Sequence, residues 1–282
     1  MMGEIIFGKN LIKEQRNIIK EFIDERIANK LRVPCLASII VGDNSASEYY
    51  LKTQNKLCGK LGLKETTCRF AADVKEAEII ECIEKLNVDK EVDGILLLLP
   101  LPDGLNDKRV TSKICYQKDV DGLTDLNNGR FYRGQQSFAP CTSLAVMETI
   151  KSTDIDIEGK NVVVCGRSNV IGRPTAQLLL DANATVTICH SMTENMKDIC
   201  KGADIIVSAM GKPNYLTKDY IKEGAIVIDV GTAMVNGVVH GDVNFKSVID
   251  VASFVSPVPG GVGTLTTTML LKNTCEALKN VH

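Results

Sequence analysis

The chain is 282 residues long, enough for about two domains at ~150 residues each, and its 44% hydrophobic content can fill a buried core. Thirty-three Lys and Arg stand against 35 Asp and Glu, a net charge of -2 that argues against a protein held on nucleic acid or an acidic membrane by bulk charge. No stretch approaches the ~20 apolar residues of a membrane span, and Met1 to Lys9, with Glu4 before Ile5, Ile6 and Phe7, is too short and acidic for a signal peptide, so a soluble cytoplasmic protein is expected.

Helical and strand periods alternate along the chain. Residues 10–30 place Leu11, Ile18, Ile19, Phe22, Ile23 and Ile27 on one helical stripe. Val33 to Val41 reads as a buried strand closed by Gly42-Asp43-Asn44, Ser45 to Leu61 as a helix, and Lys75 to Leu86 as another. Asp93-Gly94 opens a strand from Ile95 to Leu99, which Pro100 and Pro102 stop. Residues 122–140 have little period and read as an active-site loop or domain seam. After a helix near Leu144 to Lys151, strands are expected at Asn161 to Cys165, Ala184 to Ile188, Asp204 to Val207, Ala225 to Val230 and Ser253 to Val255. The loop Pro257 to Gly263 leads into a closing helix, Thr264 to Val281. This grammar predicts an α/β protein of two three-layer domains, the second a Rossmann-like doubly wound parallel sheet.

Ten cysteines are scattered singly without a CxxC pair, and His190, His240 and His282 are the only histidines. Structural zinc needs clustered thiolates or imidazoles, and disulfide scaffolds are short and cysteine-dense. Reduced, mostly buried thiols are expected, with no metal.

A dinucleotide loop follows the strand Asn161 to Cys165. It runs Gly166-Arg167-Ser168-Asn169-Val170-Ile171-Gly172, then into a helix from Pro174. The first glycine permits a tight turn, and the helix start offers free N–H groups to a pyrophosphate. The spacing departs from GxGxxG, because Ser168 stands at the middle glycine position. About 20 residues on, where a carboxylate selects a free ribose 2′-hydroxyl, the chain reads Ile188-Cys189-His190-Ser191 with none. Arg167 and Ser191 suit a 2′-phosphate instead, so NADP is preferred over NAD. His190 is either a phosphate contact or a surface residue.

Several segments together resemble one family. They are Val41 to Ser47 with Tyr50, Asp93 to Pro102 (DGILLLLPLP), Lys118 to Gly122 (KDVDG), Pro140-Cys141-Thr142, Gly166 to Pro174 (GRSNVIGRP), Gly241-Asp242-Val243 and Pro257 to Gly263 (PVPGGVG). In order and spacing they resemble the bifunctional methylenetetrahydrofolate dehydrogenase/methenyltetrahydrofolate cyclohydrolase family. The resemblance implies a homodimer formed through the NADP domain, with a folate cleft between two domains. Residues 1–143 with 265–282 would form the folate domain, and 144–264 the NADP domain. By position, Tyr50 would stack on the folate and Asp121 would hold the pterin. Leu98, Pro100, Pro257, Gly260, Gly261 and Val262 fall at substrate positions. Cys141, Thr142, Gly166, Arg167, Ser168, Gly172, Ser191, Thr232 and Thr266 fall at cofactor positions.

The family's catalytic signature places a lysine four residues after the tyrosine, and this chain has Gln54 there. Four residues turn a helix by about 40° beyond one full turn, so position 54 shares the face of Tyr50, whereas Lys52, Lys56 and Lys60 cannot take its place without a register shift. Leu98 stands where the family has a glutamine that contacts that lysine. Losing both together is expected to avoid a stranded buried polar group, which costs ~1–3 kcal/mol. Ser143, Thr232 and Thr264 are further departures without a physical reading from sequence.

Hydride transfer from 5,10-methylenetetrahydrofolate mainly needs positioning, whereas ring opening by water needs proton transfers that an amide cannot perform. The sequence therefore predicts an NADP-dependent dehydrogenase with weak or absent cyclohydrolase activity. The alternatives are a fully bifunctional enzyme, another α/β oxidoreductase, or a folate- and NADP-binding protein without turnover.

Overall fold

A computed structural model describes residues 3–280. Met1, Met2, Val281 and His282 fall outside the described residues, and with them the start of the N-terminal segment and the last residue of the expected closing helix. The chain divides into two compact units. One comprises Glu14–Cys141 with the segment from Thr267 onward, the other the segment up to Lys13 with Thr142–Thr266. The N-terminal segment thus groups apart from the folate domain expected over 1–143. The reason is strand β1 (Glu4–Ile5), which precedes helix α1 (Gly8–Ala28) and pairs in parallel with Phe254 and Val255.

The first unit continues through β2 (Cys35–Val41), α2 (Ser45–Leu61), β3 (Lys64–Phe70), α3 (Glu76–Val88), β4 (Gly94–Leu97), α4 (Asp107–Thr111) and α5 (Asp125–Tyr132). Its sheet runs β3-β2-β4, all parallel. Every residue of β2 is buried, which explains its unbroken apolar run with Ser38 as the one polar interruption. The edge strand β3 exposes Lys64, Glu65 and Thr66, and no apolar run announces it in the sequence. Helix α2 begins where the Asn44 side chain accepts the Ala46 and Ser47 amides, and ends at Gly62 with φ 92°. Helix α5 lies inside the stretch expected to be a loop. Its signal is a cap, the Thr124 side chain accepting the Asn127 amide, rather than an apolar period.

The two faces of this sheet do different things. Ala37, Ile39, Val41, Ile95 and Leu97 pack with Ile79 and Ile83 of α3. The alternate residues face the other way. Ser38 is paired with Leu96, and the Leu98 N–H continues the ladder to Ile39 O at 2.9 Å. Ser38, Leu96 and Leu98 therefore share the face that meets α2.

The rest of the chain forms α6 (Cys141–Lys151), β5 (Asn161–Cys165), α7 (Gly172–Asp181), β6 (Thr185–Cys189), α8 (Met196–Lys201), β7 (Ile205–Ser208), β8 (Ile226–Asp229), β9 (Ala233–Val235), β10 (Val238–His240), α9 (Phe245–Val248), β11 (Phe254–Val255) and α10 (Thr266–Asn280). The second unit holds a six-stranded sheet ordered β1-β11-β8-β7-β5-β6, with every pair parallel. This is the expected doubly wound, Rossmann-like architecture. Strands β9 and β10, absent from the sequence reading, form an antiparallel hairpin about Asn236 and Gly237, both at positive φ. Asn-Gly is the strongest short hairpin signal. All ten cysteines are free, and no helix among the described residues is long and apolar enough to cross a membrane.

The first unit is tied at the start of its strands by one ion pair. Arg32 donates to both Asp93 oxygens at 2.7 and 2.8 Å, and the Cys35 N–H donates to the same carboxylate at 2.9 Å. Asp93 is buried, and removing it takes away the carboxylate that the Arg32 guanidinium and the Cys35 amide share. Asp93→Ala is expected to cost about 3 kcal/mol, read as a lower urea midpoint at unchanged slope.

Candidate active site and dinucleotide cleft

In the first unit the loops at the carboxyl ends of β2 and β4 open a cavity of about 380 Å³. Its walls include Asn44, Ser47, Tyr50, Leu98, Pro100 and Asp121. Four predicted residues, Tyr50, Leu98, Pro100 and Asp121, are thus brought together. Asn44 and Ser47 belong to the motif read in the sequence but were not assigned to the site.

The segment Lys118 to Gly122 places Asp121 by dividing its work among its residues. The Lys118 ammonium donates to Leu86 O and Asp89 O at 2.8 and 2.6 Å, holding the end of α3. Asp119 accepts the Leu123 and Thr124 amides at 3.1 and 2.8 Å and the Asn127 side-chain amide at 3.1 Å. Gly122 has φ 68° and lies so close to Phe138 that a Cβ would stand 2.5 Å from its carbonyl oxygen. Asp121 is left to face the cavity from a braced loop.

Burial pushes the Asp121 carboxyl up to about 6, and the charge of Asp119 adds to this, against hydrogen bonds from the Cys141 thiol and backbone N–H. Cys141, expected at the cofactor, is buried in the same unit as Asp121, its Sγ 3.3 Å from Val120 O. Asn273 of α10 donates to the same oxygen at 2.8 Å. Burial likewise raises the Tyr50 hydroxyl, which is hydrogen-bonded to Thr267.

Gln54 does not line the cavity. It lies on the buried face of α2 with Ser47, Leu51, Leu57, Cys58 and Leu61 and is 0% exposed. Its Nε2 donates to Ser38 Oγ at 2.7 Å, while its Oε1 has no hydrogen-bond partner. The expectation that Gln54 and Leu98 together strand no polar group is therefore corrected. Leu98 puts a hydrocarbon on the face where Ser38 is the one polar side chain of the three, so half of the amide stays unpaired.

In the second unit a cleft of about 340 Å³ opens at the carboxyl ends of β5, β6 and β7, the switch region where doubly wound sheets bind ligands. Gly166, Arg167, Ser168 and Ser191 line it, as does His190. Sequence reasoning missed Thr193, Met210, Lys212 and Tyr215 in the same wall. The signal was available, since Gly211-Lys212-Pro213 follows a strand at the ligand-binding edge.

The loop's departure from GxGxxG has a local cause. Ser168 Oγ accepts the Ile171 and Gly172 amides at 3.1 and 3.2 Å, capping the turn into α7. A Cβ on Gly172 would stand 2.2 Å from Gly166 O, and one on Gly166, at φ 134°, 2.4 Å from Ala209 O. Ser143 is explained too, because it donates to Ile171 O at 3.2 Å and accepts from Thr175 at 3.0 Å. Thr264 donates to Gly261 O at 2.6 Å, closing the turn that holds Pro257, Gly260 and Val262. Thr142, Thr232, Thr266 and Gly172 are not in the cleft wall, and nothing in the structure explains Thr232.

The Asp121 carboxyl titrates higher folded than unfolded, so its protonation favours folding. Relative to alkaline pH this contribution is full below the ordinary carboxylate value and is lost as pH rises through about 6. Asp121→Asn is expected to gain up to about 2 kcal/mol over the parent above pH 7, allowing for partial exposure, and nothing near pH 4. Melting temperatures of both proteins across that range check it.

Comparison with known proteins gives two family matches. Residues 6–121 match "Tetrahydrofolate dehydrogenase/cyclohydrolase, catalytic domain", and residues 140–282 match "Tetrahydrofolate dehydrogenase/cyclohydrolase, NAD(P)-binding domain". The "Bifunctional protein FolD" of Clostridium acetobutylicum is 54% identical over 278 residues, 99% of this chain and 100% of that one. The bifunctional FolD enzyme of Campylobacter jejuni superposes with TM-score 0.94 at 40% identity over 99% of both chains. The methylenetetrahydrofolate dehydrogenase-cyclohydrolase of Trypanosoma brucei, solved with NADP cofactor and inhibitor, gives TM-score 0.91 at 35% identity, covering 100% of this chain and 99% of that one. The chain belongs to the tetrahydrofolate dehydrogenase/cyclohydrolase family.

Proposed function

We propose that this protein oxidises 5,10-methylenetetrahydrofolate with NADP and hydrolyses the methenyl product weakly or not at all. The observation that carries the second half is Gln54, a buried, non-titrating amide that donates to Ser38 and is not in the cavity wall. The first half is supported by the cavity of Tyr50 and Asp121 in one unit and the cation-lined cleft in the other.

The residues present fit NADP. Arg167 and Ser191 offer a charged fork and a hydroxyl to a 2′-phosphate, while the amides expected to be free at the start of α7 are taken by Ser168 and Ile171. When bound, the nicotinamide supplies a hydride acceptor. Thr142, Thr232 and Thr266 remain assigned to that cofactor, and Pro257, Gly260, Gly261 and Val262 to the substrate, by family position.

The chain's own groups suit positioning more than proton transfer. Tyr50 is half-buried and stays protonated near neutral pH, so it offers a ring face and a hydroxyl. Asp121, braced by Asp119 and Gly122, presents a carboxyl to the donors of a pterin. The product of hydride loss is a cation stabilised by its own two nitrogens, and no proton need leave. Ring opening by water requires a group that takes and returns a proton near neutrality, and Gln54 has none to exchange.

A second reading, full bifunctionality, is favoured by the relatives' description as bifunctional and by Asp121, which titrates close to neutrality in the same cavity. The two readings separate in a coupled assay. With enzyme, NADP and 5,10-methylenetetrahydrofolate, NADPH should form while methenyltetrahydrofolate accumulates in equal amount. Steady NADPH without accumulation would support bifunctionality. Gln54→Lys alone should restore little hydrolysis and Gln54→Lys with Leu98→Gln more, whereas equal rates would refute the coupling of these two positions.

We also infer a homodimer through the NADP unit. Strand β6 lies at the edge of its sheet, with Ile188 on it and Leu180 on α7 both exposed. Sedimentation equilibrium should give twice the 30.7 kDa chain mass, and Ile188→Lys should return the single-chain value.

A further inference from the structure

Resting on the reading of the second-unit cleft as an NADP site, we infer that Lys212 is a second cation for the 2′-phosphate and that Asp242 is the residue that positions it. Two independent features lead there, the charge balance of the cleft and the hydrogen bonds behind one of its walls.

The cleft wall contains Arg167, Lys212 and His190 and no carboxylate. Among the described residues neither Arg167 nor Lys212 makes an ion pair. Lys212 instead holds its ammonium 5.1 Å from the centre of the Tyr215 ring, and Tyr215 packs on Tyr220 at 5.7 Å. Two uncompensated cations in a concave wall focus positive potential and suit a dianion. Arg167 and Lys212 are the two full charges that this wall offers to a phosphate. His190 accepts the Met192 N–H at Nδ1, at 3.2 Å, so its free Nε2–H can only donate in the neutral form.

Behind this wall Asp242 is buried. Its carboxylate accepts the Ser208 hydroxyl at 2.8 Å, the Met210 amide at 2.7 Å and the Lys212 amide at 2.6 Å. These donors all belong to the end of β7 and the turn after it, so one carboxylate fixes that turn. Asp242 is held in its own place by Asp229, which accepts the Asp242, Val243 and Gly231 amides at 3.1, 2.9 and 3.0 Å. Two glycines make room for the pair. A Cβ on Gly231 would stand 2.1 Å from the Asp242 carboxyl carbon, and one on Gly241 2.0 Å from Asp229 Oδ2. All three donors to Asp242 are uncharged, so it anchors the backbone of Lys212 without neutralising its ammonium. The Gly241-Asp242-Val243 segment thereby gains a role in cofactor selection.

The test measures calorimetric binding of adenosine 2′,5′-bisphosphate and of 5′-AMP, and needs neither folate nor turnover. Lys212→Met should weaken the bisphosphate about tenfold, the worth of one charge-assisted contact, and change 5′-AMP less than about twofold. Lys212→Arg should restore most of the loss. Asp242→Asn should also weaken the bisphosphate selectively, and less so when Lys212 is already Met. Equal losses for the two nucleotides, or a bisphosphate preference unchanged in Lys212→Met, would overturn the assignment while leaving NADP specificity intact. A parent protein that binds both nucleotides equally would overturn the NADP reading and this inference with it. Should Asp242→Asn fail to fold, the Lys212 pair decides alone.

Discussion

Both units depend on one constraint, that parallel strands joined by covering helices deliver all their carboxyl-end loops to one edge of a sheet. In the first unit this edge collects Asn44 after β2 and Leu98 to Pro100 after β4. In the second it collects Gly166, His190 with Ser191, and Ala209 to Lys212 after β5, β6 and β7. The strands interior to each sheet carry almost no polar side chains, so the chemistry is confined to loops. Those loops are in turn stiffened by buried acceptors, Asp119 in one unit and the Asp229–Asp242 pair in the other. A carboxylate that accepts several amides makes a loop nearly as determinate as a strand.

Within that frame the position of Gln54 follows from helix geometry. The buried face of α2 recurs at positions 47, 51, 54, 57, 58 and 61, and a polar group there must be satisfied by the sheet beneath. Ser38 satisfies the amide donor, and Leu98 offers nothing to the acceptor. A lysine at the same place would meet an apolar surface with one hydroxyl, and desolvation would lower its proton affinity. The same burial that would tune a lysine for proton transfer leaves a glutamine inert.

The main strands and the covering helices were legible because β2, β4, β5, β7 and β8 are apolar runs. Edge elements were not. Strand β3 displays Lys64, Glu65 and Thr66, β1 has two residues, and α5 is announced only by the capping hydroxyl of Thr124 rather than by a stripe. Motif residues that line the cavity or the cleft, such as Tyr50, Asp121 and Arg167, were legible as candidates. The roles of Ser38, Lys212 and Asp242 were not, because each depends on what a distant strand brings beside it. The stranded Oε1 of Gln54 could not be foreseen, since pairing within a buried face is decided by register.

The central claim is that this cavity transfers hydride without catalysing ring opening. Its most direct test is the decay of added methenyltetrahydrofolate at neutral pH with and without the protein, in the absence of NADP. Decay at the protein-free rate is the predicted result. A protein-dependent acceleration that scales with concentration and is lost in Tyr50→Phe or Asp121→Asn would contradict it.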